Sequence, residues 1–122
     1  GDVYIDCLTL TVSAEQSAAA ETLKAITMCK KELGVRTVLG VSNISFGLPC
    51  RGYLNTTFLT MAMVAGLDLA IMNPNTPEMM AAVRAYRVAA EGIRWTITSS
   101  VCVGCLFDLS RSLSVDGLGC AP

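Results

Sequence analysis

Leu39-Gly40-Val41-Ser42-Asn43-Ile44-Ser45-Phe46-Gly47-Leu48-Pro49 is the stretch on which the reading of this chain turns. It opens inside a β-rich run, Thr37 to Val41, breaks into a polar turn and closes in a Gly-Leu-Pro loop. A strand that delivers Ser and Asn side chains at its exit into a Gly/Pro loop is how α/β proteins place binding groups. The flanking segments decide whether that reading holds.

Upstream, Val3 to Leu10 is β-branched and aromatic with one carboxylate, Asp6, set into it, and reads as a first buried strand. Ser13 opens Ser-Ala-Glu-Gln, a capping-box pattern in which Ser13 and Gln16 would satisfy the first helical amides. Ala19, Leu23, Ile26 and Leu33 then fall at helical spacing, with Glu21, Lys24, Lys30 and Lys31 mostly on the other side and Gly34 as the stop. Downstream, Leu54, Phe58, Met61, Ala62 and Ala65 mark a second helix, apolar on most faces and expected to be well buried, that Gly66 closes. Leu67 to Met72 reads as the third strand and ends at Asn73-Pro74. Thr76 is read as the cap of a third helix with Pro77 at its first position and Glu78 in its first turn, where both are favoured. The methionines Met61, Met63, Met79 and Met80 sit at core spacing and are read as packing.

Residues 1–92 thus read strand-helix three times, with strands beginning roughly 30 residues apart, the usual size of a βα unit. Short apolar strands alternating with helices predict a parallel sheet with helices on its faces. In such folds functional groups lie at the carboxyl ends of the strands. Those ends carry Asp6 with the Thr9–Thr11 stretch, then Ser42 and Asn43, then Asn73. Beyond Gly92, Trp95 to Val103 alternates roughly like a strand, and the remainder of the 93–122 tail is Gly-, Ser- and Leu-rich without a period.

Composition narrows the chemistry. The chain has 122 residues, 52% hydrophobic and 16% charged, which argues for one packed domain. A net charge of −1 without a basic run offers nothing to nucleic acid. There is no histidine, which removes the commonest general base and every Ser/His or Cys/His pair. Six cysteines lie within periodic and apolar segments, so Cys7 and Cys29 are read as buried thiols in a reducing cytoplasm. No run approaches the ~20 apolar residues of a membrane span.

The ordered motifs resemble the pterin-binding methyltransferases: the methyltetrahydrofolate-binding barrels of cobalamin-dependent methionine synthase and of methyltetrahydrofolate:corrinoid/iron–sulfur protein methyltransferase, relatives of dihydropteroate synthase. The matching segments are Asp6-Cys7-Leu8 with Leu10-Thr11-Val12, then Gly40-Val41-Ser42-Asn43-Ile44-Ser45, then Leu54-Asn55-Thr56-Thr57-Phe58-Leu59 and Gly66 through Pro74. The resemblance runs from about Asp2 to Ala90 and implies an α/β fold, the last three units of a (β/α)₈ TIM barrel. Such a barrel needs ~250 residues, so the chain would carry less than half of one, with residues 1–92 as its C-terminal part.

The same resemblance implies the chemistry. The pterin edge presents a ring N–H beside an amino group, and the Asp6 carboxylate would accept both in a fork; the alternative is a carboxylate bonded to its own loop amides. The methyl group sits on N5, a poor leaving group, and the corrinoid cobalt is the nucleophile. Asn43 would donate to N5 as charge develops there, which requires no histidine; alternatively it serves its own turn. Ser42 and Gly40 would line the pterin face, with close strand–helix packing the other reading of Gly40. Ile71 and Asn73 resemble a pterin-facing wall, and Phe46 replaces a Gln of some relatives with a ring for stacking. Arg51 is read as meeting an anionic tail or a partner, or as simply solvated.

Methyltetrahydrofolate is then the substrate, cobalamin or another corrinoid is held by a partner protein or domain, and a homodimer is compatible with the reading. A second reading is a non-catalytic α/β fragment acting in assembly, with a weak metal site at Cys102-Val103-Gly104-Cys105 and Cys120. A dihydropteroate synthase-like activity is disfavoured, because that family has a basic Ser-Arg-Lys turn where this chain has Ser42-Asn43-Ile44.

Overall fold

A computed structural model of the chain describes residues 3–91 and 106–108. The order is β1 (Tyr4–Asp6), α1 (Ala18–Met28), β2 (Arg36–Gly40), α2 (Arg51–Ala65), β3 (Leu69–Ile71), α3 (Pro77–Glu91) and β4 (Leu106–Asp108). β1, β2 and β3 pair in parallel in sequence order, with Asp6 beside Val38, Val38 beside Leu69 and Gly40 beside Ile71. The α/β class with a parallel sheet is as the sequence reading expects. β4 runs antiparallel along the outer edge of β3, a strand that reading did not place. The Trp95–Val103 alternation, the CxxC pair and Cys120 lie outside the described residues.

Period-2 alternation divides the sheet. Thr37 and Leu39 of β2 and Ala70 of β3 are buried on one face, while Tyr4, Asp6 and Ile71 on the other remain exposed. One apolar cluster joins Leu39 and Ala70 to Ile26 of α1, to Phe58, Leu59, Ala62 and Met63 of α2, and to Met79 and Val83 of α3. The two crossover helices, α1 and α2, and α3, which follows β3, therefore cover the same face. Consecutive parallel strands with right-handed crossovers give this result, because each helix returns on the side the last one used.

The helices depart from expectation in three places. Helix α1 begins at Ala18, and its N-cap Ser17 makes no side-chain cap bond. The Ser13 hydroxyl instead donates to the Phe46 carbonyl at 3.0 Å, so the capping box does not form. A tertiary partner has outcompeted a local cap. Helix α1 then widens into a π-helical turn, Cys29–Leu33, before Gly34 ends it in the left-handed region. Helix α2 is less buried than its composition suggests: Tyr53 is 81% and Val64 72% exposed, and Met61 is not core. Met63 and Met79 are core, as expected.

At the amino end of the sheet, a buried polar knot fixes the register of β2 and β3. The Asp68 carboxylate accepts the Thr37 N–H at 2.8 Å and two bonds from the Lys30 ammonium at 2.9 Å. The Thr37 hydroxyl lies 3.3 Å from the same carboxylate. Gly66, at φ 105°, makes room for this: a Cβ there would meet Lys30 Cγ at 2.9 Å. Asp68→Ala would leave a buried N–H and an ammonium unpaired. It should lower the free energy of unfolding in urea by about 3 kcal/mol; a loss under about 0.5 kcal/mol would remove the knot from the account.

Candidate functional site

At the opposite, carboxyl end of the parallel strands, a cavity of about 350 Å³ opens on the face that the helices leave uncovered. Its lining brings together Asp6, Gly40, Ser42, Asn43 and Ile71 from the sequence-derived site, and adds Leu8, Thr9 and Met72. Parallel pairing is what makes the three strand exits neighbours. Phe46 and Asn73 are not among the lining residues. The Phe46 ring is 69% exposed, and the Asn73 Oδ1 is engaged by the Asn75 N–H at 3.0 Å in its own turn.

Asp6 ends β1, and its Oδ1 accepts the Leu8 N–H at 2.9 Å. That bond closes a tight turn in which Leu8 sits at φ 53°, a conformation costly for a non-glycine residue. One carboxylate oxygen therefore holds the loop, and Oδ2 has no bond among the described residues. Thr9 is 5% exposed, and its hydroxyl finds no hydrogen-bond partner among the described residues. The sequence signal for Thr9 was only its place in the first polar exit.

Asn43 lies within the 3₁₀ turn Val41–Ser45, whose Val41, Ile44 and Ser45 are buried. Its side-chain amide has no hydrogen-bond partner among the described residues. The amide lies across Gly40: a Cβ built there would stand 3.0 Å from Asn43 Nδ2. The missing Cβ of Gly40 is thus space used by Asn43, a reason that neither sequence reading of this glycine contained. On the far side of the turn, Arg51 Nε donates to Ser45 Oγ at 2.9 Å and Nη2 to the Ser42 carbonyl at 2.8 Å. Ser45 Oγ in turn donates to Asn55 Oδ1 at 2.7 Å.

Next to the site, the half-buried Cys7 and Cys29 are free thiols with sulfurs 4.0 Å apart. Burial, then the neighbouring Cys29 sulfur and the Asp6 charge, push the Cys7 thiol from 9.0 up to about 12. Among the described residues no group of three or more His, Cys, Asp or Glu side chains could hold a metal ion. None of their helices is long and apolar enough to cross a membrane.

The rim thus brings together the second Asp6 carboxylate oxygen, the Asn43 amide and the Ile71 side chain at one cavity. The chain is 50% identical over 44 residues to the methylcorrinoid:tetrahydrofolate methyltransferase of Eubacterium limosum, covering 36% of this chain and 16% of that protein. It is 45% identical over 78 residues to the methionine synthase of Mycobacterium leprae, and 44% over 78 residues to that of Mycobacterium tuberculosis. Each of these two matches covers 58% of this chain and 6% of the relative. No family model matches the chain. The resemblance to the pterin-binding methyltransferases is borne out over part of the chain, which spans only a small share of the length of these relatives.

Three outcomes are expected. In peptide-resolved alkylation the exposed Cys50 should label fully at pH 8, while Cys7 stays unlabelled up to pH 9, since only its thiolate reacts. Because the unfolded thiol ionises first, the same shift should cost the fold stability only above about pH 9. Matched labelling rates for Cys7 and Cys50 would contradict this burial. Gly40→Ala should displace the Asn43 amide with little loss of stability, read as a shift of its side-chain NH₂ resonance; an unmoved resonance would contradict the close approach.

Proposed function

We propose that the chain forms the last three βα units of a (β/α)₈ barrel over residues 1–92, with 93–122 as an appended tail, and that it binds methyltetrahydrofolate. The observation that carries this is the meeting of Asp6, Ser42, Asn43 and Ile71 around one cavity at the carboxyl ends of adjacent parallel strands. Barrel membership is supported by the sequential order of the parallel strands and, among the described residues, by helices on one face of the sheet, since a doubly wound sheet would have helices on both. The outer edge of β1 has no strand beside it among the described residues, while that of β3 carries β4. Closing a ring would require β4 to give up that edge.

In this reading the Asp6 carboxylate accepts the paired N–H groups of the pterin edge, which fixes the plane of the ring. Gly40, Ser42 and Ile71 bound that plane, and Asn43 places its amide N–H against N5. When the N–CH₃ bond breaks, negative charge develops on N5, and a donor already in place stabilises it without reorganisation. A group that lowers this barrier does so in both directions, and the name of the E. limosum relative has the methylcorrinoid as donor. The corrinoid, held by a separate protein or domain, supplies the cobalt that exchanges the methyl group. Phe46 and Asn73 take outer positions beyond the cavity. The setting is one-carbon metabolism or methionine synthesis in the cytoplasm.

Calorimetric titration with methyltetrahydrofolate should give saturable heat with a dissociation constant below about 1 mM, and Asp6→Ala should abolish it. Absence of heat from the unaltered chain would contradict pterin binding. In a protein with the complete barrel, Asn43→Ala should slow methyl transfer about 100-fold while weakening binding less than about 5-fold. Equal losses in rate and binding would remove the transition-state role.

A further inference from the structure

We infer that Arg51 is a positioning residue that sets the direction of the Asn43 side chain, a role that builds on the reading of Asn43 as the donor to N5. The two peptide groups flanking the Asn43 Cα determine where its Cβ points. The first contains the Ser42 carbonyl, which accepts Arg51 Nη2 at 2.8 Å. The second contains the Asn43 carbonyl, which accepts the Phe46 N–H at 3.1 Å. With both planes held and Gly40 leaving space beneath, the Cα–Cβ direction of Asn43 is set, although its side-chain amide makes no hydrogen bond among the described residues.

Local energetics at Arg51 argue that the contact is selected rather than incidental. Arg51 opens α2, where the helix dipole disfavours a cation, and the first turn holds no acidic residue to offset it. Cys50, immediately before it, is held in the left-handed region at φ 52°. Both features are unfavourable by themselves. Together they bring the guanidinium back over the turn, where Nε and Nη2 reach two different acceptors three residues apart, Ser45 Oγ and the Ser42 carbonyl. Ser45 is fully buried and is itself anchored to Asn55 of α2, so the cation grips a fixed point. A lysine could satisfy only one of these acceptors at a time with the same geometry.

The test uses the ¹⁵N-labelled 122-residue chain without ligand. The Asn43 side-chain NH₂ pair, identified by its loss in Asn43→Ala, should be well dispersed in the unaltered chain. Arg51→Met should move it toward the position of a free amide and raise its mobility, and Arg51→Lys should fall between. Tyr53→Ala, two residues further along α2 and exposed, should leave the pair in place. An unmoved pair in Arg51→Met would overturn the inference, as would equal movement in Tyr53→Ala. Should Arg51→Met fail to fold, Arg51→Gln takes its place under the same criteria. Pterin binding is not needed for this readout, so a chain that binds no methyltetrahydrofolate would defeat the proposed function while the Asn43 resonance still decides the role of Arg51.

Discussion

The immobilised turn between β2 and α2 is the constraint on which the site depends. Every carbonyl from Ser42 to Phe46 has a donor. Arg51 takes the first, the Phe46 N–H the second, and the Val12 N–H, at 3.0 Å, the third. The Leu48 N–H takes the fourth, and the Thr11 and Ser13 hydroxyls, at 2.8 and 3.0 Å, share the fifth. An irregular segment at a strand exit has no ladder to satisfy its backbone, so its partners come from within the turn or from neighbouring segments. Here the Phe46 and Leu48 N–H groups are local, and the rest come from the β1 exit on one side and from α2 on the other. The same bonds that satisfy the turn also set the separation between Asp6 and Asn43.

The sheet divides labour between its faces. Packing against α1, α2 and α3 accounts for the buried core, in which Ile26, Leu39, Ile44, Leu59, Ala62 and Ala70 are fully inaccessible. The other face, with Tyr4 and Ile71 39% and 42% exposed, carries the cavity. Stability and binding are thereby assigned to different sides of the same strands. At the amino end the Asp68 knot holds β2 and β3 in register, leaving the carboxyl end to accommodate strain such as that of Leu8.

Much of this was legible in the sequence because it is set by short-range pattern. Strand runs, the glycine stops at Gly34 and Gly66 and the Pro77 start are local signals, and they place the polar exits Asp6, Ser42 and Asn43 without any knowledge of contacts. What escaped was tertiary. Ser13 has the sequence of a cap but spends its hydroxyl on Phe46, 33 residues away. Arg51 looks like a solvated loop cation but reaches Ser42 and Ser45 because Cys50 turns the chain back. Asn73 shares the residue type of Asn43 yet closes its own turn, its Oδ1 accepting the Asn75 N–H across Pro74. Thr9 carries no motif, and only its burial marks it.

The central claim is that three successive strand exits form one pterin site. It is tested most directly by mapping which backbone amides of the ¹⁵N-labelled chain respond as methyltetrahydrofolate is added. The account predicts concerted shifts at Asp6 to Thr9, Gly40 to Asn43 and Ile71 to Met72, with a single saturation curve. Shifts confined instead to a separate cavity at the start of α2, lined by Cys50, Tyr53, Thr57 and Glu78, would contradict it.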